Sequence, residues 1–417
     1  MRCNHCEWAP CVTICPVTAL YRRDDGVVDF NAERCIGCKA CLQACPYDAL
    51  YIDPQSNTAA KCNFCNHRLE MGLQPSCVAV CPEQAIIAGD LDDPDSEISR
   101  LIDRHPVQVR KPEKGTRLKL FYIEADEAAL VPTRAPADGR CLWSRGAYVA
   151  ADGETAEPAD GSSAVRGSAD DPARRPLPVV APNPPPRRVY DVRPRPPAWG
   201  WQVAAYTWTK SIAAGAFLAV LAARLLAGPE SAARLAVAMG VIALLFLALT
   251  AGLLVADLKQ PRRFLYVLLR PQWRSWLVRG AYLLTGCGLI VTGWLLAQVA
   301  GAGGIAEILL WPGALLAVCS AVYTAFLFAQ AKGRDFWQNP LLSVHLLAHA
   351  LLAGGAVWLL ADAVSAEAAP RIPRVFMAGT LIFSLVAILA EILTTPPTAD
   401  VHQAMRWVIG RPVGRWF

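Results

Sequence analysis

The stretch "CIGCKACLQACP", residues 35 to 46, decides the reading of the N-terminal part. Cys35, Cys38, Cys41 and Cys45 follow the spacing C-x2-C-x2-C-x3-C, and Pro46 comes directly after the last. Two further groups flank it. Cys3, Cys6, Cys11 and Cys15-Pro16 read C-x2-C-x4-C-x3-C-P, and Cys62, Cys65, Cys77 and Cys81-Pro82 read C-x2-C-x11-C-x3-C-P. All three end in the same C-x3-C-P, an internal repeat at roughly thirty residues.

That spacing is the one by which bacterial ferredoxins hold [4Fe-4S] clusters. A tight turn lets three thiolates converge on three irons of one cubane, and the fourth, a few residues on, serves the other cluster of a pair. On that rule Cys3, Cys6, Cys11 and Cys45 hold one cluster, and Cys35, Cys38, Cys41 and Cys15 the second. Proline after the fourth cysteine stops the local helix, and "Ala-Leu-Tyr" at 19–21 and again at 49–51 reads as a short strand. A disulfide framework calls for a small secreted chain. A zinc ribbon calls for two CxxC pairs, not a repeated C-x3-C-P. In the third group Cys62, Cys65 and Cys77 make three ligands and Cys81 belongs to a neighbour, but the sequence holds no fourth group to exchange with it. The expectation that follows is one more four-cysteine segment ahead of Met1.

The rest of the sequence is of a different kind. Of 417 residues, 54% are hydrophobic, yet residues 1–81 hold twelve of the fifteen cysteines while most long apolar runs lie in 204–394. This divides the protein into a 4Fe-4S ferredoxin domain (1–130), a Pro-rich linker (131–199) and a transmembrane helical domain (200–417). "RLKLFYIEAD" (117–126) reads as a closing strand, "APNPPPRRVYDVRPRPP" (181–197) favours polyproline II, and Cys141 reads as an ordinary thiol. Six apolar runs, near 204–226, 232–256, 276–300, 305–330, 341–361 and 375–394, suit a hydrocarbon core of about 30 Å. Trp199, Trp201, Trp208, Trp273, Trp276 and Trp337 mark interfaces. The expected fold is multidomain: an α+β multi-cluster ferredoxin-like domain, then an all-α polytopic bundle of about six spans.

Here a resemblance becomes specific. "MRCNHCEWAPCVTICPVTALYRRDDGVVDF", "ERCIGCKACLQACPYDALYID" and "KCNFCNHRLEMGLQPSCVAVCPEQAI" resemble the NrfC/PsrB/DmsB family, the ferredoxin subunits of molybdopterin oxidoreductases. That family has four cysteine groups, and this sequence has the last three. "DLKQPRRFLYVLLRPQWRSWLVRGAYLL" (257–284) resembles the NrfD/PsrC family of quinone-interacting membrane subunits through Asp257, Pro261, Arg263-Phe264, Pro271 and Ser275-Trp276. "YTWTKSIAAGAF" (206–217) and "GRDFWQNPLLSVHLLAHALLAGGA" (333–356) add to the likeness. That family has eight or more spans, so both ends of this sequence read as clipped. The resemblance implies a separate molybdopterin-type catalytic subunit as partner. Polysulfide, thiosulfate, tetrathionate, sulfite and arsenic compounds all remain open as its substrate.

Ionisable residues inside spans are costly and mark function. With the ferredoxin side called A, alternation of the spans puts Tyr206 and Lys210, Asp257, His345 with His349 one turn on, and Glu391 toward A. Together they suggest a polar mouth for a menaquinone or ubiquinone, whose two carbonyls need hydrogen-bonding partners and whose reduction needs protons. The function read from this is electron transfer between a catalytic partner and the quinone pool. A proton-translocating subunit and a passive membrane anchor are the alternatives. No P-loop, dinucleotide fingerprint or nucleophile–base set is present, and nothing calls for a nucleic-acid partner. The A-side segments 187–199, 258–274, 332–339 and 395–417 carry fourteen Lys and Arg, against four in the B-side segments 224–234, 301–306 and 362–374. The positive-inside rule then puts side A in the cytoplasm of a bacterial inner membrane. The periplasmic face, where many of the resembling family work, is the alternative.

Overall fold

The structure is a computed structural model, and it describes residues 2–126, 130–131, 198–364, 371–394, 398, 401–402 and 405–406. Two units divide it: Met1–Asp126 with Pro197–Phe417, and Glu127–Pro196. Cys141, the polyproline reading and nearly all of the expected linker fall outside the described residues.

The N-terminal part is built twice over from one plan. Helix α1 (Pro10–Ile14) carries Cys11 and gives way at Cys15 to extended backbone. Pro16 then has no N–H with which to continue the helix. A hairpin follows, β1 (Leu20–Arg22) against β2 (Val28–Phe30), antiparallel, with Leu20 opposite Phe30. Helix α2 (Ala40–Ala44) carries Cys41, gives way at Cys45 in the same manner, and precedes Pro46. Its hairpin is β3 (Leu50–Ile52) against β4 (Ala59–Lys61), with Leu50 opposite Lys61. Each "Ala-Leu-Tyr" thus opens the first strand of its hairpin. Between the halves Ile14, Ile36, Ala40 and Ala44 are buried almost completely.

The third cysteine group surrounds two short helices, α3 (Asn66–Leu69), capped by Cys65, and α4 (Ser76–Ala79), which carries Cys77; neither has a buried residue. Helix α5 (Glu97–Arg104) follows, its N-terminus capped by Ser96, whose side chain accepts from the Ser99 N–H. The strand expected in 117–126 is reduced to β6 (Tyr122–Ile123), paired antiparallel with β5 (Val107–Gln108).

Among the described residues, the second half holds six helices long and apolar enough to cross a membrane. They are Trp201–Leu226, Pro229–Ala256, Trp276–Val299, Gly303–Gln330, Leu342–Val364 and Arg371–Leu393, called here the first to sixth spans. The first is the central one: 72% of its most apolar window is buried, against 17% in the sixth. Small residues allow this. Ala213, Ala214, Ala216 and Ala219 are all buried. A Cβ on Gly215 would collide with the Ala350 carbonyl, and one on Gly354 with the Gly215 carbonyl, so the first and fifth spans touch backbone to backbone. Small residues at such crossings replace the hydrophobic drive that lipid removes.

The ferredoxin half and the spans share a core. Val267, Val278 and Leu327 belong to the same buried cluster as Cys15, Ile36 and Tyr47.

Candidate functional site

The fold brings the first eight cysteines into two sets, each drawn from both halves. Burial pushes the Cys11 thiol well up, and Cys45, Cys3 and Cys6 are the sulfurs whose charges add to that. Cys45 is pushed up to about 11 by burial, with Cys3 and Cys6 contributing. Around the other set, burial pushes Cys38 up to about 12, and its sulfur neighbours are Cys15 and Cys35. Cys41 is raised well above the usual thiol range by burial, then by Cys38, Cys15 and Cys35. Cys15, Cys35, Cys38 and Cys41 line one cavity. Backbone N–H groups point at the sulfurs: Ala19 donates to Cys15 Sγ at 3.2 Å, and Gly37 and Ala59 each donate to Cys35 Sγ at 3.4 Å.

Thiols so buried ionise only beside compensating positive charge, which iron provides. Among the described residues none of the cysteines forms a disulfide. Nor, among them, do three His, Cys, Asp or Glu side chains come close enough to hold a single metal ion. The donor chemistry fits a cubane at each set, and at the second set so does the cavity. In the third group Cys62 and Cys77 are exposed, and Cys65 and Cys81 are half-buried.

The second set faces the membrane half directly. Lys259 and Gln260 donate their backbone N–H groups to the Gly37 and Ile36 carbonyls at 3.3 and 3.1 Å. Arg263 donates to the carbonyls of Ala32 and Cys35 at 2.8 and 3.0 Å. Gly37 has a left-handed backbone (φ 67°), and a Cβ there would lie 2.5 Å from the Lys259 Cβ. Glycine is thus needed for both the turn and the close approach. The Ser275 hydroxyl donates to the Ile14 carbonyl at 2.7 Å, and the Gly333 N–H to the Gln43 carbonyl at 3.1 Å. Trp199 Nε1 donates to the Cys38 carbonyl at 3.0 Å and stacks on Trp337, which stacks in turn on Phe328. Of the tryptophans expected at interfaces, Trp201, Trp208 and Trp273 are exposed, while Trp199 and Trp337 pack beneath the cysteine loop instead.

The six polar residues expected at the A-side mouth fall into separate places. Tyr206 and Lys210 are interior, 3% and 0% exposed. Lys210 lies roughly 14 Å along its helix; it does not reach back to headgroups. Its Nζ donates to the Ala321 carbonyl at 2.9 Å and to Thr324, and sits 4.7 Å from the Tyr323 ring centre. Asp257 ends the second span and pairs with Lys39 at 2.7 Å. His345 and Glu391 come together: His345 Nε2 is 2.9 Å from Glu391 Oε2, without a hydrogen-bonding angle, and Asn339 donates to Glu391 Oε1 at 2.7 Å. His349, its ring centre 6.4 Å from that of His345, is exposed. Lys39 and Asn339 join the candidates without having been singled out in the sequence, and Trp199 and Trp337 were read there only as interface markers. Only the position of Lys39 inside a cysteine loop was a visible signal.

Residues 1–91 match the family described as "4Fe-4S dicluster domain". Residues 192–406, just over half of the sequence, match the family described as "Polysulphide reductase, NrfD". The protein belongs to the NrfD family. It joins a ferredoxin-type domain to an NrfD domain in one polypeptide and is a multi-pass membrane protein. Curated relatives match about a third of the protein. A tetrathionate reductase subunit of Salmonella typhimurium is 47% identical over 143 residues, 34% of this protein and 57% of the relative. A polysulfide reductase component of Wolinella succinogenes is 44% identical over 122 residues, 29% and 64%. The arsenate respiratory reductase iron-sulfur subunit ArrB of a Shewanella species is 35% identical over 171 residues, 30% and 73%. This NrfD-family protein therefore spans little more than half the length of the first two.

Proposed function

We propose that this protein carries electrons between a catalytic partner and the membrane quinone pool. Cys3, Cys6, Cys11 and Cys45 would hold one [4Fe-4S] cluster, and Cys15, Cys35, Cys38 and Cys41 the other. When bound, the clusters supply one-electron carriers. The names of the relatives, reductases of tetrathionate, polysulfide and arsenate, support a separate catalytic subunit, and we take it to be of the molybdopterin type. The observation that carries the reading is the seating of the loop 35–39 on Trp199, Asp257, Lys259 and Arg263. It leaves a cysteine-lined cavity directly above the ends of the spans.

At the membrane end, the quinone, menaquinone or ubiquinone, is the substrate. His345 and Glu391 are suited to exchange its protons, with Asn339 holding the carboxylate in place. Tyr206, Lys210, Asp257 and His349 remain candidates for orienting it. A positioned acid or base contributes typically ~10²-fold or more. His345→Leu and Glu391→Gln are therefore each expected to slow oxidation of a quinol analogue about 100-fold, with the iron–sulfur absorption unchanged. Wild-type rates in both would remove these residues from the site.

We assign side A, and with it the ferredoxin domain, to the cytoplasm on the fourteen-to-four excess of Lys and Arg. A cysteine introduced as Ser163→Cys is expected to resist a membrane-impermeant thiol reagent in spheroplasts and to react after lysis. Reaction without lysis would reverse the orientation.

A further inference from the structure

Lys39 occupies an unusual place for a cation. It stands in the loop between Cys38 and Cys41, in left-handed backbone (φ 61°), directly before α2. It lines the same cavity as Cys15, Cys35, Cys38 and Cys41. Its ammonium is turned away from solvent onto Asp257 of the membrane half, 2.7 Å away, with both side chains 11% exposed. Taking two such charges out of water costs several kcal/mol per ion, so a pair of this kind is weak evidence for a role in stability. In a poorly screened site each charge acts strongly on whatever stands beside it.

We propose that the Lys39–Asp257 pair sets the reduction potential of the cluster held by Cys15, Cys35, Cys38 and Cys41, so that the membrane half tunes the centre with which it exchanges electrons. This rests on the proposed function, since it requires a cluster at that set. Net charge and hydrogen bonding around a cluster decide its potential. Reduction adds negative charge, so the Lys39 cation favours the reduced form and the Asp257 anion opposes it. Asp257 also acts as a positioning residue, because its carboxylate holds the ammonium of a residue that lines the cavity. The two effects are separable. Asn at 257 keeps an oxygen that accepts from Lys39 but removes the charge.

The test is a potentiometric titration of the full-length protein in detergent, followed by electron paramagnetic resonance, with iron content measured in parallel. Lys39→Met is expected to make one cluster about tenfold harder to reduce at a given potential, a downward shift of 59 mV for one electron. Asp257→Asn is expected to shift the same cluster upward, and Lys39→Arg to leave it at the wild-type value. Lys39→Gln replaces the Met variant if the latter loses iron. Unmoved potentials in Lys39→Met and Asp257→Asn with full iron content would overturn the proposal. Equal shifts of both clusters, or loss of the cluster in every variant at both positions, would also overturn it, the latter by making the pair a structural clamp. If wild-type protein shows no second cluster at all, the proposed function falls together with it.

Discussion

Anaerobically purified protein is expected to contain iron and acid-labile sulfide for at least two [4Fe-4S] clusters, and the double variant Cys11→Ser, Cys41→Ser is expected to lose both. Cys11 and Cys41 sit in α1 and α2, the two helices packed at the centre of the ferredoxin part, each 7% exposed. Each has its sulfur surrounded by three others of its own set. Six of these eight cysteines belong to the buried core itself beside Ile14, Ile36 and Tyr47; Cys3 and Cys38 pack against it. The remaining core of this part mixes Val17, Leu20, Val28 and Leu50 with small residues such as Ala19, Ala40, Ala44 and Ala49, a limited apolar area for two short helices and two three-residue hairpins. Binding energies of structural metal sites are of order 10 kcal/mol and count directly as folding energy. Removal of iron by a chelator is therefore expected to unfold residues 1–81 while the spans keep their helicity, which circular dichroism with limited proteolysis would register. Stoichiometric zinc with no iron after anaerobic reconstitution would contradict this account.

The second large effect concerns docking. Gly333 follows the fourth span and donates its N–H to the Gln43 carbonyl, while the neighbouring Arg334 reaches Gln43 Oε1 at 2.5 Å. A Cβ on Gly333 would lie 2.6 Å from both the Gln43 and Cys45 carbonyls. Both are backbone, so neither can swing aside as a flexible side chain would. Overpacking of this kind costs about 1–3 kcal/mol, and here that cost falls on the seam between the halves. Gly333→Val is expected to keep its iron and its helices but to slow electron exchange with quinone by about 100-fold, the equivalent of ~3 kcal/mol. Retained exchange at the wild-type rate with clusters intact would show that the seating is not needed.

The repeated C-x3-C-P made the N-terminal fold legible because a few covalently fixed spacings, each ended by proline, allow only one local shape. The spans were legible for an equally simple reason: hydrocarbon thickness sets their length. Each of the six apolar runs lies within or beside an observed helix, as 232–256 within Pro229–Ala256. The polar residues were harder. Lys210 gave no signal of depth, because only packing against Ala321 and Thr324 of a distant span decides whether a lysine near a helix start points to headgroups or inward. Asp257 read as a quinone residue, and its partner Lys39 lies 218 positions away, a contact that no periodicity announces. Trp199 and Trp337 carry the composition of a membrane interface, but they are spent on the docking seam. His345 and Glu391 meet because the fifth and sixth spans pack together, a pairing that the order of spans suggests and cannot specify by residue.

The central claim is that electrons cross from the cysteine-held clusters to quinone within this one polypeptide. The most direct measurement is stopped-flow absorption of anaerobic, full-length protein, with the clusters reduced beforehand and mixed with a water-soluble menaquinone analogue. The account predicts that the absorption of oxidised clusters returns with a rate that saturates in quinone concentration, and that Gly333→Val and His345→Leu slow it without changing the amplitude. A rate that rises linearly without saturation and is the same in wild type and in both variants would contradict it, because the quinone would then be meeting the clusters from solution rather than through a site at the ends of the spans.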